Sequence, residues 1–101
     1  MIISGGENIY PKEVEEVLYQ HSKIIEAAVF GLPDEIYGQK VCAAVVVKPG
    51  EQMAPEEVID FCKDNLASFK KPKEVYFMED LPKSPIGKVL RSALKKQYQN
   101  T

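Results

Sequence analysis

Lys88 is the residue of this chain best suited to chemistry. It stands in Leu81-Pro82-Lys83-Ser84-Pro85-Ile86-Gly87-Lys88-Val89-Leu90-Arg91, between a loop stiffened by two prolines and a glycine and the start of an amphipathic helical pattern. Proline fixes φ and glycine lets the backbone approach a partner closely, so the loop can present a side chain with little freedom to lose. The lysine ammonium is a compact charge with three donors and suits phosphate and carboxylate oxygens. An isolated Gly-Lys pair more often marks an ordinary solvated turn, so the case for Lys88 depends on its surroundings. Those surroundings are basic. Residues 1–69 carry five Lys/Arg against twelve Asp/Glu, whereas residues 70–101 carry eight against three, which sets the two parts at −7 and +5 within a net charge of −2. Lys70, Lys71, Lys73, Lys83, Lys88, Arg91, Lys95 and Lys96 could attract a nucleotide, a coenzyme or nucleic acid, or form a solvated face with no ligand.

The elements that must position these residues follow from periodicity and turn chemistry. Gly5-Gly6 before Asn8 predicts a tight turn, since glycine reaches positive φ freely and asparagine tolerates it. Pro11 suits the first position of a helix, with acidic residues in the opening turns and Val14, Val17, Leu18 and His21 on one face, ending near Gln20. Ile24 to Leu32 reads as a strand stopped by Pro33-Asp34, and the apolar run from Lys40 to Lys48 as a central strand ended by Pro49-Gly50. Pro55 opens a second helix with Val58, Ile59, Cys62 and Leu66 inward, broken by Lys70-Lys71-Pro72. A short strand through Val75 and Phe77 and a helix on Leu90, Leu94 and Tyr98 complete the order. The expectation is a small α+β two-layer sandwich, a sheet of about three strands covered by helices, with an N-terminal loop or hairpin.

Composition narrows the function classes. With 101 residues, 45% hydrophobic and 28% charged, the chain is one globular domain, too small to enclose a deep cleft for two substrates. No apolar run has the length of a membrane span, and Met1 to Glu7 lack a basic leader and an apolar targeting core, so a cytoplasmic setting is the expectation. Cys42 and Cys62 lie in apolar patterns and read as buried thiols, not as a disulfide or metal pair, and the lone His21 has no partner spacing; no metal site is expected. A nucleic-acid or interaction module is the distant rival. It lacks an RNP-like aromatic pair, zinc spacing and a base-reading basic helix, and the pI near 5.4 is acidic.

Three stretches carry a resemblance: Ile3-Ser4-Gly5-Gly6-Glu7-Asn8-Ile9-Tyr10-Pro11-Lys12-Glu13-Val14-Glu15, Phe69-Lys70-Lys71-Pro72-Lys73-Glu74-Val75, and Leu81-Pro82 through Arg91. In this order and spacing they resemble the C-terminal domain of the adenylate-forming enzymes, the superfamily of acyl-CoA synthetases, peptide-synthetase adenylation domains and luciferases. The wording is most similar to fatty or aromatic acyl-CoA synthetases. Ile3 stands where luciferases carry a lysine, which argues against that chemistry.

The resemblance implies a two-step ligase, in which a carboxylate attacks ATP to give an acyl-adenylate and pyrophosphate, and CoA then displaces AMP. Residues 1–101 would be its moving lid, inactive alone, with the hinge and the large ATP- and acyl-binding domain outside this sequence. Lys88 matches the family's adenylation lysine. Gly5, Gly6 and Glu7 match the loop lining the pantetheine tunnel. Lys70, Lys71 and Lys73 are implied as contacts for CoA phosphates, while Asn8, Pro11, Pro82 and Gly87 shape the loops. The implied partners are the enzyme's own N-terminal domain, a small carboxylic acid, CoA, and ATP with Mg2+ held by the large domain. The Pro82-x-x-x-x-Gly87-Lys88 spacing also resembles a site of lysine acetylation, implying an acetyltransferase and deacetylase. A carrier protein replacing free CoA as thiol is the alternative within the family.

Overall fold

A computed structural model describes residues 1–99. The chain opens with an antiparallel hairpin, β1 (Ile2–Ser4) and β2 (Glu7–Ile9), in which Ser4 faces Glu7 across a two-residue loop. Gly5 and Gly6 occupy that loop at φ 58° and 83°. Two positive φ values in succession match the hand of the strands' twist, and only glycine adopts both at no steric cost. Helix α1 (Pro11–Tyr19) follows with Pro11 in its first turn, and buries Val14 and Leu18.

The main sheet has the order β3-β4-β5, with β3 (Ile24–Asp34) antiparallel to β4 (Gly38–Val47) and β5 (Glu74–Phe77) parallel to it. The run of alanines and valines is thus the central strand, as its unbroken apolar character requires of a strand covered on both faces. β3 runs two residues beyond the expected stop at Leu32, with Pro33 opposite Gln39. Pro33 sits near the end of an edge strand, where a missing N–H is tolerated. Asp34 then makes the turn, its Oδ2 accepting from the N–H groups of Ile36 and Tyr37 at 3.2 and 2.8 Å.

Helix α2 (Pro55–Asn65) ends earlier than the Lys70-Lys71-Pro72 break expected for it. Leu66 turns extended at φ −139° and ψ 164°, and Ser68–Lys70 forms a separate 3-10 turn. The final helix, α3, spans Arg91–Gln99. Helices cover both faces of the sheet and divide the core. On one face Ile2, Ile9, Val14, Leu18, Val58 and Cys62 pack on Val29, Val41, Ala43 and Val45. On the other, Leu81 and Leu94 pack on Phe30, Cys42, Ala44 and Val46, with Val89 and Tyr98 against them. The α+β class, the sheet of three strands and the N-terminal hairpin are all present; with helices on both faces of the sheet the layers number three, where two were expected.

Candidate functional site

The segment around Lys88 is a small hairpin of its own. Ser84 O accepts from Gly87 N–H at 2.9 Å, Ser84 N–H donates to Lys88 O at 2.8 Å, and Leu90 N–H donates to Pro82 O at 2.9 Å. Lys83 pairs with Val89 across it. Pro85 favours the turn's second position, and Gly87, at φ 84°, takes the left-handed residue that closes it. The Ser84 hydroxyl accepts from Lys88 N–H at 3.2 Å. Lys88 is thereby held by its backbone while its side chain is exposed. Among the described residues its ammonium meets no carboxylate, whereas the cations on either side are paired. Ile86 beside it is 88% exposed.

Those flanking pairs are specific. Lys83 Nζ lies 2.8 Å from both Glu26 Oε1 and Asp80 Oδ1, and the hydrogen bonds to Asp80 and Glu26 hold its pKa above the ordinary lysine value. Arg91 meets Glu15 through two nitrogens, Nε at 2.9 Å from Oε2 and Nη2 at 2.5 Å from Oε1. Glu15 Oε2 also accepts from Val29 N–H at 2.8 Å. Glu15 thereby joins α1, β3 and the start of α3.

The glycine turn caps the hairpin whose Ile2 and Ile9 pack on the other face of the sheet. Gly5 N–H donates to Tyr37 O at 2.9 Å, and Ile3 N–H to Gln39 Oε1 at 2.8 Å, so β1 is fastened to the β3–β4 turn. A Cβ at Gly5 would come within 3.1 Å of the Tyr37 ring, whereas at Gly6 it would meet nothing within 4 Å. Gly5 and Glu7 line an open groove of about 510 Å3 together with Ser4, Tyr37, Phe69, Lys71 and Lys73. The structure therefore brings the glycine loop and two of the three singled-out lysines together. Lys73 Nζ sits 3.3 Å from the centre of the Tyr37 ring, and Lys71 Nζ bonds Ser68 Oγ at 3.1 Å. Lys70 instead pairs with Glu13 of α1 at 2.6 Å. Asn8 is exposed on β2 opposite Ile3. The groove's aromatic walls, Tyr37 and Phe69, were not anticipated; the aromatic preceding the turn glycine Gly38 was the only hint.

The cysteines and the lone histidine belong to neither the hairpin nor the lining of the groove. Cys42 and Cys62 are free and buried, and burial pushes their thiols up to about 12 and about 11. His21 Nδ1 accepts from Lys23 N–H and its ring packs edge-on against Phe61. Among the described residues no group of His, Cys, Asp or Glu is arranged to hold a metal ion, and no helix is long and apolar enough to cross a membrane.

The fold is a small α+β domain that carries a lysine hairpin with paired flanking cations and a glycine turn beside a basic groove. The chain belongs to the AMP-binding enzyme C-terminal domain family, which matches residues 13–88. It is 44% identical over its whole length to a long-chain-fatty-acid–CoA ligase of Mycobacterium tuberculosis, covering 20% of that protein. It is 51% identical over 95% of its length to a 2-succinylbenzoate–CoA ligase of Bacillus mycoides, again 20% of the relative. The crystal structure of ATP-bound MatB from Rhodopseudomonas palustris superposes with a TM-score of 0.95 at 36% identity, over 99% of this chain and 20% of that one. The chain thus spans about a fifth of the length of the relatives it matches.

Proposed function

We propose that this chain is the mobile C-terminal lid of an ATP-dependent acid–CoA ligase. The enzyme joins a carboxylate to the α-phosphorus of ATP, releasing pyrophosphate, and then transfers the acyl group from AMP to the thiol of CoA. One observation carries the reading: Lys88 is exposed and, among the described residues, without a carboxylate partner, just after the turn of a hairpin flanked by the paired cations Lys83 and Arg91. In the first step two anions must meet in a closed, poorly hydrated site while negative charge shifts toward the leaving pyrophosphate. A positioned cation lowers that repulsion and stabilises the transition state. In the full-length ligase, Lys88→Ala should slow adenylation, read as pyrophosphate release, by about a hundred- to a thousandfold. Equal rates for variant and parent overturn this role.

The second step uses the opposite face. The Gly5-Gly6 turn leaves room for the narrow pantetheine arm, and the adjoining groove offers Lys71 and Lys73 to the phosphates of CoA. Lys73 has no carboxylate partner among the described residues, so it can take an anion without breaking an ion pair. ATP would arrive with Mg2+ bound by the large domain. Buried free thiols suit a reducing compartment, and we place the enzyme in the cytoplasm. The exposure of Lys88 also suits it to an acetyltransferase, which would remove the charge the first step needs. A carrier-protein arm in place of free CoA is the second acceptor to test, by comparing thioester formation with each.

A further inference from the structure

We infer that Lys83 and Arg91 are positioning residues that strap the two ends of the Lys88 hairpin to strand β3 and so fix the reach of the Lys88 ammonium. The inference rests on the reading of Lys88 given above and adds what holds it. The hairpin buries little of itself. From Lys83 to Leu90 no residue is fully buried: Val89 packs half-buried against the core, and the fully buried anchors are Leu81 before the hairpin and Leu94 after it. Its own backbone bonds fix its shape but not its direction relative to the sheet.

Two ion pairs supply the direction. At one end Lys83 reaches Glu26 of β3 and is steadied by Asp80. At the other, Arg91 takes Glu15 in a two-pronged contact, and that same carboxylate holds the Val29 N–H on β3. Glu26 and Val29 lie three residues apart on the strand whose opposite edge alone is paired in the sheet. The guanidinium fork matters here because two parallel bonds set an angle, whereas a single ammonium contact sets only a distance. Glu15 is well placed to act as the fixed post, its side chain being only 12% exposed. A further consequence is that Glu15, Glu26 and Asp80 are all occupied by Lys83 and Arg91. The carboxylates flanking the hairpin are therefore not left to draw in Lys88, and the catalytic cation stays available to a ligand.

The test is a double-mutant cycle in the full-length ligase, with adenylation measured as pyrophosphate release. Arg91→Met keeps the aliphatic stem and removes the fork; it should lower the adenylation rate by about ten- to a hundredfold, since an ångström of misplacement has effects of that order. Arg91→Lys should recover part of the loss. In a Lys88→Ala background the Arg91→Met change should have no further effect, because there is no ammonium left to misplace. Lys83→Met, whose contacts lie at the surface, follows the same pattern and carries the test if Arg91→Met does not fold. A loss of equal size with and without Lys88 overturns the inference and assigns the pairs to stability alone, as does a parental rate for both strap variants. Failure of the underlying reading looks different: Lys88→Ala would itself leave adenylation unchanged.

Discussion

Gly6→Leu should separate the two half-reactions. Gly6 holds φ at 83°, a region in which an L side chain is strained by about 1–2 kcal/mol. The space around it is open, with nothing within 4 Å of an added Cβ. Backbone strain is therefore the main cost to the fold, roughly 5–15 °C in the melting temperature of the isolated chain. Gly5→Ala provides the contrast: its φ of 58° is also left-handed, but its Cβ would press on the Tyr37 ring at 3.1 Å, the ring on which Lys73 rests. A leucine at position 6 thus leaves the hairpin and groove standing while projecting four carbons outward from the turn. In the full-length ligase, adenylation should stay at the parental rate. Thioester formation from preformed acyl-adenylate should fall by about a hundredfold or more, because a narrowed passage displaces the attacking thiol. Single-turnover measurement of each step decides it. Both steps persisting at parental rates, or both failing together, would refute the assignment of this turn to the passage of the thiol.

Lys71→Ala and Lys73→Ala should each raise KM for CoA by about three- to tenfold, the loss of one partly exposed phosphate contact, and leave KM for ATP unchanged; Lys70→Ala should not, because Lys70 is engaged with Glu13. Enzyme acetylated at Lys88 should lose adenylation as Lys88→Ala does, and normal pyrophosphate release from the acetylated protein would end the regulatory reading. The buried thiols make stability fall in alkali: ionisation near the ordinary 9.0 is open only to the unfolded chain, while the folded thiols wait until about 11 and about 12. Their contribution is full below pH 9 and is lost as pH rises toward those values, so the urea midpoint should drop between about pH 8 and pH 10.5. A Cys42→Ala, Cys62→Ala double variant should show a smaller drop over the same interval; an unchanged drop would show that other groups cause it.

Much of the scaffold could be read from residue order because its signals are local. Pro11 and Pro55 mark helix starts through a property of their own rings, and both open helices here. The Ala/Val run announces a strand with two covered faces, and it is the central one. The stops were harder. The end of α2 at Asn65 has no glycine to mark it, and the proline at position 72 lies well beyond it. Pro33 did not end β3, since its effect depends on where the strand lies in the sheet. The turn before Lys88 was legible because loop-stiffening residues surround it in the chain. Glu15 was not, because its partner Arg91 is 76 residues away and helical periodicity reports only which face a residue occupies. Tyr37 and Phe69 were missed for a similar reason: exposed aromatics have meaning only once the fold sets them across a groove from each other.

The lysine hairpin and the glycine-turn hairpin anchor in different halves of the divided interior, Val89 of the first on one side of the sheet and Ile2 and Ile9 of the second on the other. On the proposed reading a stationary reaction centre can therefore face only one of the two tools at a time, as with a coin that cannot show heads and tails together. Mutual exclusion of the two chemical acts then needs no separate signal; it is enforced by the thickness of a single β-layer, and any turnover must include a reorientation of the whole domain.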